Sequence, residues 1–206
     1  MNQSMQPQRQ DPPRQIRIDS DLILRPLFSL DAQVVYQCIA GTRANLSQFL
    51  AHWDLDLAGL EARLDQLRDQ WGGPGEQAYA ILEHGHFVGV LSLSRLEAKN
   101  RAAELGYWLA QQAQGRGVMT RVAEAGLALL FDHFNANQII ITSYAANTKS
   151  RAVAQRLGFR LDGITRQWRI NQQGQLCDKA TYSLLRNEWK EQRDRPENGP
   201  RPLPDV

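Results

Sequence analysis

The sequence predicts an α+β domain built on a mixed, mostly antiparallel sheet of about seven strands flanked by helices. Helical spacing of apolar residues dominates 31–71, and β-rich runs take over after Gly72-Gly73-Pro74-Gly75. A single β-α-β unit, covering 102–111, 118–134 and 138–145, has strand candidates both before and after it. At 206 residues the chain suits one compact domain with tails, long enough to bury a core without disulfides or metal.

The elements follow in order. DLILRPLF (21–28) is a short apolar run closed by Pro26, suited to a strand near a sheet edge. Ser29-Leu30-Asp31 offers capping residues before DAQVVYQCIA, where Val34, Val35, Cys38 and Ile39 fall at helical spacing. NLSQFLAHW continues the helical pattern through Leu46, Phe49, Leu50 and Trp53. Leu57, Leu60, Leu64, Leu67 and Trp71 then share one stripe of an amphipathic helix. AYAILEHGHFVGVLSLSRL has the pattern of a hairpin turning at His84-Gly85-His86, and AAELGYWLAQ is a further strand. Val118, Val122, Ala125 and Leu129 form the buried ridge of a helix spanning 118–134. QIIITSYA is the most apolar strand and is expected to lie centrally. SRAVAQRLGF is a short helix ended by Gly158, and FRLDGITRQWRI and LCDKATYSLL pair across a turn at 171–174.

Composition excludes several classes of function. With 24 Lys and Arg against 22 Asp and Glu, the formal net charge is only +2, too small for a nucleic-acid binder that works by phosphate neutralisation. Cys38 and Cys177 make neither a disulfide framework nor a four-ligand metal site, so no metal is expected. His84 and His86 flank a turn glycine with no third ligand nearby. No run approaches a membrane span, and MNQSMQPQRQDPPR lacks the apolar core of a signal peptide. The expectation is a cytoplasmic protein with a polar tail at 1–15, a domain at 16–190 and a second polar tail at 191–206.

Chemistry concentrates in Leu105 to Thr120, LGYWLAQQAQGRGVMT. A strand runs into Gln112-x-x-Gly115-x-Gly117 and a helix begins at once. A helix start presents free backbone N–H groups and the positive end of the macrodipole, and glycines let an anion approach them. The pattern is not a P-loop, because no Gly-Lys-Ser/Thr follows, and it lacks the third glycine of a dinucleotide fingerprint. On their own, two glycines before a helix fit a plain tight turn equally well.

Four features in series narrow the choice: GYWL ending a strand, QxxGxG opening a helix, Asn147-x-x-Ser150 capping the next helix, and Leu157-Gly158-Phe159 closing it. Together they resemble the GNAT superfamily of acyl-CoA-dependent N-acyltransferases. Gly106-Tyr107-Trp108-Leu109, Met119-Thr120, Asn147-Thr148-Lys149-Ser150 and Gly174-x-x-x-Asp178 are similar to its RimJ/RimL branch, the ribosomal-protein N-terminal acetyltransferases. LILRPL and NLSQFLAHWD fit as well, and the resemblance spans roughly residues 21–189.

The resemblance implies a sheet splayed between the GYWL and QIIITSYA strands, with the pantetheine of acetyl-CoA in the gap. The amides of Gln114, Gly115, Arg116, Gly117, Val118, Met119 and Thr120, with the Thr120 hydroxyl, would cradle its pyrophosphate. The Leu109 amide would polarise the thioester carbonyl, Asn147 would bond the pantetheine arm, and Ser150 would steady or protonate the departing thiolate. Asn147 and Ser150 also suit a purely capping role. At the position where the branch carries a basic carboxylate, this chain has Arg169, so Glu104 is the preferred base and Arg169 a candidate for binding an acidic group on the acceptor. Asp178 is expected to be structural. Ala154 stands where many members carry an acidic tyrosine, which leaves Ser150 or water as the acid. Trp53, Tyr107 and Trp168 would wall the acceptor site, though each also suits a core position.

The implied acceptor is a primary amine, foremost a protein N-terminus such as that of a ribosomal protein. A small amine (an antibiotic, an amino acid or an aminoacyl nucleotide) is the rival acceptor, and an acyl-CoA-binding protein without turnover is the rival of another class. No nucleic acid or membrane partner is expected, and related enzymes often form homodimers.

Overall fold

The computed structural model describes residues 11–46, 55–97, 99–171 and 174–194. Its elements are β1 (Ile16–Arg17), β2 (Leu22–Pro26), α1 (Ala32–Leu46), α2 (Leu57–Asp69), β3 (Gln77–Glu83), β4 (His86–Glu97), β5 (Ala102–Leu109), α3 (Val118–Ala128), β6 (Gln138–Tyr144), α4 (Thr148–Arg156), β7 (Arg160–Ile170), β8 (Leu176–Leu185) and α5 (Arg186–Arg193). The strands form one sheet in the order β1-β2-β3-β4-β5-β6-β8-β7. Its eight strands exceed the expected seven by the two-residue β1.

Alternation along the strands sorts side chains onto two cores. Tyr79, Ile81, Leu91, Leu105 and Leu109 face α3 and α4, where they meet Val118, Val122 and Val153. Ala78, Ala80, Val90 and Trp108 face the opposite way, against Val35 and Ile39 of α1 and Leu60, Leu64 and Leu67 of α2. The predicted stripe of α2 is therefore its buried face. Asp56 caps that helix by accepting from the Gly59 amide at 2.8 Å.

Three departures from the sequence expectation have physical reasons. The helix read as 118–134 is α-helical only to Ala128, and a π turn covers Leu129–His133. Leu129, Leu130 and Phe131 are all buried in that wider turn, three bulky side chains in a row inside the core. β6 is interior but not central: its pairing with β8 runs its whole length, and the most continuously buried strand is β3. Finally, part of the segment expected to be a tail is docked, since Pro12 is buried and the Tyr79 hydroxyl donates to the Pro13 carbonyl at 3.0 Å.

The feature that positions the site is the seam between β5 and β6. These are the sheet's parallel neighbours, and they pair through only three residues each, Ala102, Ala103 and Glu104 with Gln138, Ile139 and Ile140. Beyond Glu104, β5 follows β4 as far as Leu109 paired with Gly89, while β6 follows β8 as far as Tyr144 paired with Lys179. The sheet is thus split at that end.

Candidate active site

The split opens into a cleft of about 1540 Å³. Except for Trp53, which lies outside the described residues, all the residues expected from sequence line it: Glu104, Tyr107, Leu109, Gln114 to Thr120, Asn147, Ser150, Trp168 and Arg169.

At one mouth, Gly115 and Gly117 have φ of +78° and +75°, and a Cβ built on either meets nothing within 4 Å. The left-handed backbone requires glycine, and the loop faces open space. Gly117 is the N-cap of α3 and no side chain caps it; the first helical bond runs from the Arg121 amide to the Gly117 carbonyl at 3.2 Å. The amides of Val118 to Thr120 therefore precede the first intrahelical bond, the kind of free N–H groups that can receive an anion. The helix lies close to the sheet at Gly126, where an added Cβ would sit only 3.0 Å from Leu105 and 3.1 Å from Leu91. The Arg116 guanidinium turns away from this loop to pair with Glu83 at 2.7 Å, leaving its backbone as the part facing the mouth. Across the cleft, the Lys149 ammonium donates to Gln114 Oε1 at 2.9 Å, and Gln114 Nε2 donates to the Leu109 carbonyl at 2.9 Å.

On the α4 side, Asn147 Oδ1 accepts from the Ser150 amide at 3.1 Å, so the capping role is present and the amide nitrogen of Asn147 remains for other partners. Tyr107 faces Ser150 and not the wing that carries Trp168: its hydroxyl donates to the Ser150 carbonyl at 3.2 Å and accepts from Ser150 Oγ at 3.4 Å. Burial pushes the Tyr107 phenol up to about 12, with the hydrogen bond to Ser150 pulling the other way, so the group stays a neutral donor.

The opposite face of β5 carries Glu104. Thr142 Oγ1 donates to its Oε1 at 2.6 Å, and Arg95 lies 3.1 Å from its Oε2. Nearby, Ser92 Oγ donates to Glu76 Oε1 at 2.5 Å, and Arg63 pairs with that carboxylate. Sequence reasoning missed Thr142, Arg95, Glu76 and Ser92. Thr142 was within reach of the alternation of β6, since it lies two residues beyond Ile140, the residue paired with Glu104. Arg95 was not, because it sits in an irregularity of β4 with φ of +50°. Asp178 Oδ1 accepts from the Gln167 amide at 2.8 Å, the structural part expected of it. Among the described residues no group of three or more His, Cys, Asp or Glu is placed to hold a metal ion.

A sheet split beside a parallel pair, with a glycine loop and uncapped helix start at the mouth, defines an acyltransferase of the GNAT type. The chain belongs to that family: the acetyltransferase (GNAT) domain matches residues 21–160. It is 28% identical over 177 residues to the putative ribosomal N-acetyltransferase YdaF of Bacillus subtilis, covering 84% of this chain and 96% of that protein. Over 89 residues it is 32% identical to the ribosomal-protein-serine acetyltransferase of Escherichia coli, a match covering 43% of this chain and half of the relative. The structure of RimL, a ribosomal L7/L12 α-N-protein acetyltransferase in complex with coenzyme A, superposes with a TM-score of 0.77 at 24% identity, covering 84% of this chain and 99% of that one. The protein is an acetyltransferase with relatives among the ribosomal-protein enzymes, and no helix among the described residues is long and apolar enough to cross a membrane.

Proposed function

We propose that the protein transfers the acetyl group of acetyl-CoA to the N-terminal amine of a protein, in the manner of the ribosomal-protein enzymes. The observation that carries this reading is the cleft opened where β5 and β6 part after Glu104, with uncapped α3 amides at one end and exposed aromatic and cationic side chains at the other.

The loop fits a diphosphate: its glycines leave the approach clear and no side chain caps the helix start behind them. In this assignment the amides from Gln114 to Thr120 and the Thr120 hydroxyl hold the diphosphate, and Asn147 Nδ2 meets the pantetheine arm. The donor supplies a thioester whose thiol, with an ordinary pKa of about 8.5, leaves with little acid assistance. The Leu109 amide polarises the carbonyl that is attacked. Ser150, fixed by Asn147 at its amide and by Tyr107 at its hydroxyl, steadies the sulfur. Glu104 accepts the proton of the attacking amine; Thr142 and Arg95 hold the carboxylate in place, and each oxygen keeps a second lone pair. An N-terminal amine, with an ordinary pKa near 8, is already partly neutral and asks less of that base than a lysine near 10.4 would.

The test pairs calorimetry with a thiol-release assay, using peptides that contain a lysine and have either a free or a blocked N-terminus. Release with the free peptide alone, with the acetyl group mapped to the α-nitrogen, is the expected result. Release only with small amines would overturn the protein acceptor. Tight acetyl-CoA binding without release for any amine would make the protein a carrier and not a catalyst.

A further inference from the structure

We propose that this site selects acceptors bearing a carboxylate at the third or fourth residue, read by Arg169 and Lys179, which both lie against the Trp168 ring; the proposal rests on the N-terminal acetyltransferase reading above.

The local backbone is built for this presentation. Between the paired residues Thr165–Lys179 and Arg169–Cys177, β7 carries three residues where β8 has one. Gln167 in this bulge has φ of +49°, a costly conformation for a residue with a side chain, and Asp178 Oδ1 holds its amide at 2.8 Å. Bulges redirect side chains, and here Trp168 and Arg169 turn to line the cleft. Trp168 meets Tyr144 edge-on, with ring centroids 5.9 Å apart. The Arg169 guanidinium lies 4.3 Å from the Trp168 ring centroid and the Lys179 ammonium 5.1 Å from it. A guanidinium held against a ring keeps N–H donors available, the arrangement suited to a carboxylate.

Charge supplies the second part of the case. Neither Arg169 nor Lys179 has an ion-pair partner among the described residues, whereas Arg95, Arg116 and Arg121 do. Asp178, the acidic residue between them on β8, is engaged with the Gln167 amide. Two cations therefore lie against one exposed ring without an ion-pair partner among the described residues, and an incoming carboxylate is attracted to both.

Position then names the residue that is read. Thr142, which bonds Glu104, and Tyr144, which meets Trp168, lie on the same face of β6 two residues apart, about 7 Å along the strand. Adding one ring contact, an extended peptide whose amine sits at Glu104 covers the distance in about three to four residues.

The experiment measures kcat/KM for three peptides that share their first two residues and carry Asp-Asp, Asn-Asn or Lys-Lys at the third and fourth. The expected order is Asp, then Asn, then Lys, with at least about tenfold between the extremes, expressed in KM and shrinking as salt is added. Arg169→Ala and Lys179→Ala each compress the range, Arg169→Glu reverses the order, and the affinity for acetyl-CoA is unchanged in all three, which also reports that they fold. Equal turnover of the three peptides by the wild type, or discrimination that survives both alanine variants, overturns this proposal and leaves the acetyltransferase reading standing. Turnover of none of them, with acetyl-CoA still bound, overturns both.

Discussion

The two mouths of the cleft are made of different material. At the α3 end the mouth presents main-chain amides, left open by two left-handed glycines and an uncapped helix start. At the β7 end it presents the side chains of Trp168 and Arg169, next to a strained bulge, with Lys179 of β8 against the Trp168 ring. The lesson concerns what can change. A main-chain site constrains only the residues that would obstruct it. A side-chain site is rewritten by single substitutions, which is where the proposed acceptor preference would change.

The largest expected effect attacks the main-chain end. Gly117→Glu places a carboxylate where the diphosphate would sit, and calorimetry should show acetyl-CoA affinity falling by roughly 100-fold or more. Gly117→Ala separates strain from obstruction, costing about 1 kcal/mol of stability from its positive φ. Affinity in the glutamate variant equal to the wild type would remove the contrast between the two mouths. Next comes the junction between them: Glu104→Gln should lower kcat at neutral pH by roughly 100-fold with acetyl-CoA affinity within about twofold, measured by thiol release beside calorimetry.

Tyr107→Phe probes the α4 wall and should cost less. Losing the hydroxyl, with its hydrogen bonds to the Ser150 carbonyl and hydroxyl, lowers kcat by about three- to tenfold. The pH–rate profile should keep its shape between pH 7 and 10, because the wild-type phenol stays protonated there, its folded value lying about 12. The smallest effect is at the support of α3. Burial of Asp19 opposes its ionisation, but hydrogen bonds from the Asp21 and Leu22 amides and the charge of Arg121 outweigh it and hold the carboxyl below its ordinary value. A carboxyl depressed in the folded state stabilises above its unfolded value, and that contribution is lost as pH falls through the folded one. Asp19→Asn should therefore lower stability by about 0.5 kcal/mol at neutral pH, and urea unfolding of variant and wild type should converge toward pH 3.

How much was legible follows the same division. The hairpin at His84-Gly85, the stripe of α2, the LGF close of α4 and the glycine loop were all readable, because turn chemistry, periodicity and backbone freedom are local properties. The π turn after Ala128 was not, since only the tertiary core calls for burying Leu129, Leu130 and Phe131 together. Arg169 was noticed as a departure from the family's pattern, but Lys179, ten residues on, joins it only through the register of β7 on β8. The tether of Glu104 to Arg95 depends on an irregularity in β4 that no alternation announces.

The three-rung seam between β5 and β6 also bears on how the molecule yields. It joins a block of five strands, β1 to β5, to a block of three, β6, β8 and β7, with the Arg101 side chain bridging to Asn135 below it. A donor held as proposed, by the α3 loop on one block and by Asn147 on the other, would act as a strut between them. Amide protons of Ala103 and Ile139 should exchange with deuterium faster in the empty protein than those of β3, and slow together as acetyl-CoA is added, so the substrate doubles as mechanical reinforcement.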